Sequence, residues 1–115
     1  MKAPPGFVWT FPAEVDRVQD GDTVVAHVLL HPNEGGEAHA VNIRVDGINA
    51  PELNTAAGTA AKAYAETLLP PGAAITLIAR KREKYGRFLA RVILSNGDDL
   101  SALMIAAGHA VPYLT

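Results

Sequence analysis

Side chains with the chemistry to act on a phosphate ester fall in three short stretches: Asp20-Gly21-Asp22-Thr23-Val24, Arg44 through Glu52 (RVDGINAPE), and Lys84-Tyr85-Gly86-Arg87. Phosphodiester hydrolysis needs charge neutralised on the phosphoryl oxygens, an oriented water, and help for the leaving oxygen. A hard divalent ion held by carboxylates and carbonyls provides the first of these. Asp22, at the end of a hairpin turn, is a suitable ligand; its blander reading is a turn carboxylate bonding nearby backbone amides. Arg44 closes a strand, and Arg87 follows a glycine that permits a tight turn. Guanidinium forks match phosphate oxygens bidentately, which lysine does less well. Either arginine taken alone also reads as an exposed strand-end residue. In Asn49-Ala50-Pro51-Glu52, proline stiffens the segment and favours an extended Ala50. Glu52 could equally serve only the dipole of a following helix.

The elements that must position these groups can be read along the chain. Glu14 to Val18, Thr23 to Leu30 and Ala40 to Asp46 read as three strands, the first two joined at Asp20-Gly21, a hairpin signal between apolar runs. Thr55 to Leu69 changes to a helical period, with Asn54 or Thr55 as the cap and Pro70-Pro71-Gly72 as the stop, although Gly58 and Thr59 weaken its first turn. Ala74 to Ala79 and Arg87 to Leu94 read as two more strands. After the Asn96-Gly97 turn, Leu100 to Ala107 reads as a second helix with Gly108 beyond its end. The order β-β-β-α-β-β-α predicts a mainly β, α+β fold: a five-stranded OB-type barrel with a helix plugging one end. Residues 1–115 read as one domain, with 1–12 an extended entry segment whose Phe7, Trp9 and Phe11 pack on the body. Trp9 reads as a packed aromatic, not a base-stacking platform.

Composition narrows the classes. A chain of 115 residues with 49% hydrophobic and 19% charged residues is globular, not disordered. It has no cysteine, which excludes a disulfide framework, a zinc knuckle and a thiolate nucleophile. His27, His31, His39 and His109 lack metal-site spacing, and His109 reads as a local hydrogen-bonding residue. No apolar run approaches the roughly 20 residues of a membrane span, so no membrane partner is expected. Met1 to Pro12 lacks the apolar centre of a signal peptide; compartment stays open between secretion with a leader already removed and the cytoplasm. A net charge of −2 argues against coating nucleic acid by bulk electrostatics. A nucleic-acid partner must then be held by a local basic site or through a cation. Arg80, Lys81, Arg82, Lys84, Arg87 and Arg91 form such a basic cluster, which also reads as a solvated loop.

Taken together and in order, the three stretches resemble the staphylococcal nuclease, or thermonuclease, family. The resemblance runs from about Val15 to Gly108 and includes Gly97-Asp98-Asp99-Leu100 and Met104-Ile105-Ala106-Ala107-Gly108. It implies a calcium-dependent phosphodiesterase acting on DNA and RNA with little sequence preference and leaving 3′-phosphates; single-stranded or frayed regions should be favoured because the phosphate must enter a narrow cleft, and a monomer is expected. One Ca2+, with Mn2+ or Mg2+ as substitutes, would be held by Asp22, Asn49 and the Ala50 carbonyl. Arg44 and Arg87 would grip the scissile phosphate, and Glu52 would orient or deprotonate the attacking water. Lys84 and Tyr85 match positions that touch a terminal phosphate of a bound nucleotide, and Tyr113 lies near a base-stacking position.

The chain also departs from the family pattern. Asn49 stands where a second aspartate ligand is usual, so the site loses a negative charge and should hold calcium more weakly. Ala50 replaces threonine, at little cost to a carbonyl ligand. Asp46 could restore negative potential or pair with Arg44. The chain stops at Thr115, without the third helix of the best-known members. The rival class is a catalytically weak OB-fold module that binds nucleic acid or a protein partner; a second rival has Arg44 and Arg87 in structural ion pairs.

Overall fold

A computed structural model describes residues 9–28, 39–82 and 88–113. In chain order the elements are β1 (Trp9–Asp20), β2 (Thr23–Val28), β3 (His39–Val45), β4 (Ile48–Asn49), α1 (Ala56–Leu68), β5 (Ala74–Arg82), β6 (Phe88–Leu94), α2 (Leu100–Ala106) and β7 (Val111–Pro112). Five of the strands close into a barrel in the order β1-β2-β3-β6-β5. β3 and β6 run parallel, and β2–β3, β5–β6, β1–β2 and β1–β5 are antiparallel. The fold is thus the mixed five-stranded, OB-type α+β barrel that the element order implies.

Closure depends on β1. Its first half pairs with β5, from Trp9 opposite Ala79 to Glu14 opposite Ala74, and its second half pairs with β2. Beyond the part paired with β5, the β1–β2 register shifts between Val15 and Arg17 and between Val18 and Asp20; such irregularities increase strand bend and twist in small barrels. Trp9–Pro12, the described part of the stretch read as an extended entry segment, is strand and belongs to the barrel wall. Phe11 packs against the core, and Trp9 at the start of β1 is 41% exposed. The interior is filled by small and branched residues from all five strands, among them Val15, Val24, Ile43, Leu77 and Val92.

Both helices form where the period and punctuation place them. Thr55 caps α1, and the helix buries Ala61 and Ala65 with Leu69 just beyond its end. Asp99 caps α2 through its side chain, which accepts the Ser101 N–H at 3.1 Å. Gly108, with φ +77, takes the left-handed conformation just after α2. β3 ends at Val45, one residue short of expectation, because Asp46 and Gly47 turn the chain and Gly47 has φ +92. The small sheet of β4 and β7, pairing Ile48 with Pro112 and Asn49 with Val111, was not foreseen. Two-residue strands carry no periodicity to read.

Candidate active site

The turn between β1 and β2 brings two carboxylates side by side. The Asp22 N–H donates to Asp20 Oδ1 at 3.1 Å. Partial burial, and then the neighbouring Asp22 carboxyl, push the Asp20 carboxyl above its ordinary value. Gly21 between them is buried and does not take a positive φ. What it supplies is room: a Cβ there would stand 2.8 Å from Ala50 Cβ and 3.0 Å from Ala61 Cβ. The hairpin tip therefore lies flush against Ala50 and α1.

Asp22 ties this tip to the segment after β4. Its Oδ2 accepts the Ala50 N–H at 2.9 Å, its Oδ1 the Thr23 hydroxyl at 3.2 Å, and its carbonyl the Val45 N–H at 2.9 Å. These are the amide bonds of the blander reading of Asp22, but they reach 28 residues along the chain and not only within the turn. Arg44 lies opposite Thr23 in the β2–β3 ladder. Its Nη1 donates to the carbonyls of Val45 at 2.9 Å and Asp22 at 3.4 Å. Its Nη2 donates to the Ile48 carbonyl at 2.9 Å and to Asn49 Oδ1 at 3.4 Å, and stands 3.8 Å from Asp22 Oδ2. Only 13% of the Arg44 side chain is exposed, so it is no solvated strand-end residue. It cross-links the hairpin, the Asp46–Gly47 turn and β4.

Asp20, Asp22 and residues 49–54 line an open cleft of about 470 Å³. Glu52 is exposed on its wall. A second groove of about 250 Å³ shares Asn49, Ala50 and Pro51 with the cleft and continues to Gly108–Val111. Tyr113 stands at this end: its N–H donates to the Gly47 carbonyl at 2.9 Å, and its ring centroid is 6.0 Å from Arg44 Cζ, within reach of a cation–π contact. The ring is 46% exposed and so open to a stacking partner.

The groups able to hold a cation here are all oxygens: the carboxylates of Asp20 and Asp22, the Asn49 amide and the Ala50 carbonyl. Such a set suits a hard cation such as calcium. Among the described residues no three His, Cys, Asp or Glu side chains gather to hold a metal. A cation would therefore draw on Asn49, Ala50 and water to complete its shell.

Residues 42–115 match the family model described as staphylococcal nuclease homologue. The chain belongs to the staphylococcal nuclease family. It is 33% identical over 124 residues to Endonuclease YhcR of Bacillus subtilis (strain 168), covering 96% of this chain and 10% of that protein. It is 32% identical over 99 residues to proteins named uncharacterized endonuclease in Escherichia coli O157:H7 and Escherichia coli, covering 86% of this chain and 59% of each. The chain thus spans a tenth to three-fifths of the length of these relatives.

Of the residues to which the staphylococcal nuclease resemblance points, Asp22, Arg44, Asn49, Ala50 and Tyr113 fall within one connected set of contacts, and Glu52 shares the cleft with Asp22. Lys84, Tyr85 and Arg87 lie outside the described residues, while Arg80, Lys81 and Arg82 of the basic cluster end β5. Arg91 pairs with Asp99, and Asp46 also acts on its charge. His109 stacks on Tyr64 with ring centroids 4.9 Å apart. Sequence reasoning passed over Asp20 as a site residue. The Asp-Gly-Asp spacing was its available signal, since a two-residue turn returns both acids to one end of the hairpin.

Proposed function

We propose that this staphylococcal nuclease-family chain is a metal-dependent phosphodiesterase that hydrolyses DNA and RNA with little sequence specificity. The observation that carries the reading is the convergence of Asp22 from a hairpin, Arg44 from β3 and Asn49–Glu52 from the following segment around one open cleft. The endonuclease names of its relatives favour cleavage at internal linkages.

Asp22, Asn49 and the Ala50 carbonyl, with Asp20 beside them, would hold one calcium ion, with manganese or magnesium as substitutes. When bound, that ion would neutralise charge on the phosphoryl oxygens. Arg44, already fixed by main-chain carbonyls, would present its guanidinium to the phosphate without first being ordered. Arg87 would complete the grip, a role that rests on the family resemblance. Glu52, on the cleft wall, would orient the attacking water and accept its proton. Tyr113, exposed beside Arg44, would stack on a base. Lys84 and Tyr85 would meet a flanking phosphate. Recognition of backbone charge with few base-reading groups suits unpaired or frayed strands of either nucleic acid. We expect a monomer.

The rival reading, a catalytically weak module that binds nucleic acid or a protein, has Asn49 in its favour, because the cleft has one acid fewer than the family pattern. Digestion of denatured DNA with calcium, manganese or chelator, repeated with Arg87→Ala and Glu52→Ala, separates the two. The enzyme reading expects cleavage that needs the metal and is lost in both variants. Binding to DNA without cleavage under any of these metals would favour the module.

A further inference from the structure

The first turn of α1 is built around the main chain of Glu52. The Thr55 N–H donates to the Glu52 carbonyl at 3.0 Å, and the Thr55 hydroxyl donates to the same oxygen at 2.6 Å. That hydroxyl also accepts the Gly58 N–H at 3.0 Å. An N-cap needs only the last of these bonds; a hydroxyl can both donate and accept, and here the second capacity of Thr55 is turned on Glu52. The Thr59 hydroxyl lies 3.1 Å from the Thr55 carbonyl and 3.3 Å from the Leu53 carbonyl, and shares its one proton between them.

Gly58 completes the arrangement by what it lacks. It is buried in the helix, and an added Cβ would stand 2.5 Å from the Glu52 carbonyl carbon, closer still to its oxygen, and 2.9 Å from Leu53 Cα. These are backbone atoms and cannot swing aside as the end of a side chain can. Gly58 has no positive φ, so the requirement is for space alone. The same helix buries Ala61, whose Cβ closes on Gly21 between the two acids of the hairpin. Successive turns of α1 thereby set how far Glu52 stands from Asp20 and Asp22.

We propose that Thr55 and Gly58 are positioning residues that hold the Glu52 main chain where its carboxylate can serve the attacking water. This rests on the reading of Glu52 given above. Neither residue lines the cleft, so each would act on turnover through Glu52 and leave binding of the strand largely alone.

The test uses the full chain and denatured DNA with calcium, measuring kcat and KM separately well below the melting temperature. Gly58→Ala and Thr55→Val should each lower kcat by at least tenfold, a scale on which displacement of a catalytic group by a fraction of an ångström acts, with KM changed by less than roughly threefold. Thr55→Ser, which keeps the hydroxyl, should restore most of kcat. In a Glu52→Gln background, Gly58→Ala should add no further loss to the residual rate. An unchanged kcat in folded Gly58→Ala and Thr55→Val, or losses that multiply fully with Glu52→Gln, would overturn the positioning role while leaving the nuclease reading intact. Should Gly58→Ala not fold, the Thr55→Val and Thr55→Ser pair decides. Full activity of Glu52→Gln would sink the assignment of Glu52, and the positioning role with it.

Discussion

Arg44 is the residue that ties the cleft together, its guanidinium standing 3.8 Å from Asp22 while main-chain carbonyls hold it in place. Its donors go to the carbonyls of Val45, Ile48 and Asp22 as well as to Asn49, so its position is set by the backbone. A preordered guanidinium loses less entropy on meeting phosphate than a free one. The same geometry bears on Asn49. Its amide oxygen already points at Arg44, and an aspartate there would keep that contact while adding a charge to the cation's donors. Asn49→Asp should therefore tighten calcium binding by about tenfold, since affinity at such sites follows the count of charged ligands. Isothermal titration with calcium chloride checks this, and equal or weaker affinity would remove Asn49 from the ligand set.

Within single elements, the β1–β2 hairpin carries two features that can be probed separately. At its tip, Gly21→Ala would drive a methyl into Ala50 and Ala61. Overpacking of this kind costs about 1–3 kcal/mol. Because the displaced residues are the flanks of Asp20 and Asp22, calcium affinity should fall along with the melting temperature. A variant that melts lower but titrates calcium unchanged would show that the hairpin tip does not set the acids. Further down, Asp16 sits at the irregularity in β1, with Oδ1 2.9 Å from His27 Nε2 and Oδ2 accepting from Arg17 at 2.6 Å. Hydrogen bonds, from His27 first and then from Arg17, hold the Asp16 carboxyl below its usual 3.8. A carboxyl depressed in the fold contributes stability that is present above 3.8 and lost as pH falls through the lower folded value. The melting temperature of His27→Ala should accordingly fall less steeply than that of the parent as pH drops below 3.8. Parallel acid limbs in thermal scans would contradict the pairing.

For the molecule as a whole, stability and site assembly are carried by different parts. The barrel closes through β1-β2-β3-β6-β5 and needs nothing from β7. The cleft does: β7 pairs with β4, and the Tyr113 N–H bonds Gly47, bracing the turn that Arg44 also spans. Ending the chain after Ala110 should leave a cooperatively folded barrel, seen as a retained two-state melt by circular dichroism, while KM for denatured DNA rises several-fold as β4 loses its partner and the Tyr113 ring, proposed to stack on a base, is removed. A truncated chain with unaltered KM would show that β4 holds its place unaided. The overall charge of −2 gives no general attraction for nucleic acid, so the proposed substrate would have to be held locally, at the cleft and its neighbours.

The five barrel strands, both helices and a cap at Asn54 or Thr55 were legible in the linear order of residues, because alternation, helical period and Pro/Gly punctuation are local signals. So was membership of a nuclease family, because its motifs are short and keep their order. Other features depended on residues distant in sequence meeting in space. Periodicity cannot show a glycine needed for room: Gly58 counted against α1 in sequence and proves to be where Glu52 rests on it. Nor can it show a two-residue strand such as β4, or an arginine whose partners are backbone carbonyls. Which acid lies beside Asp22, and what surrounds Arg44, were decided only when β1, β2 and β3 came together in the barrel and β4 paired with β7 beside them.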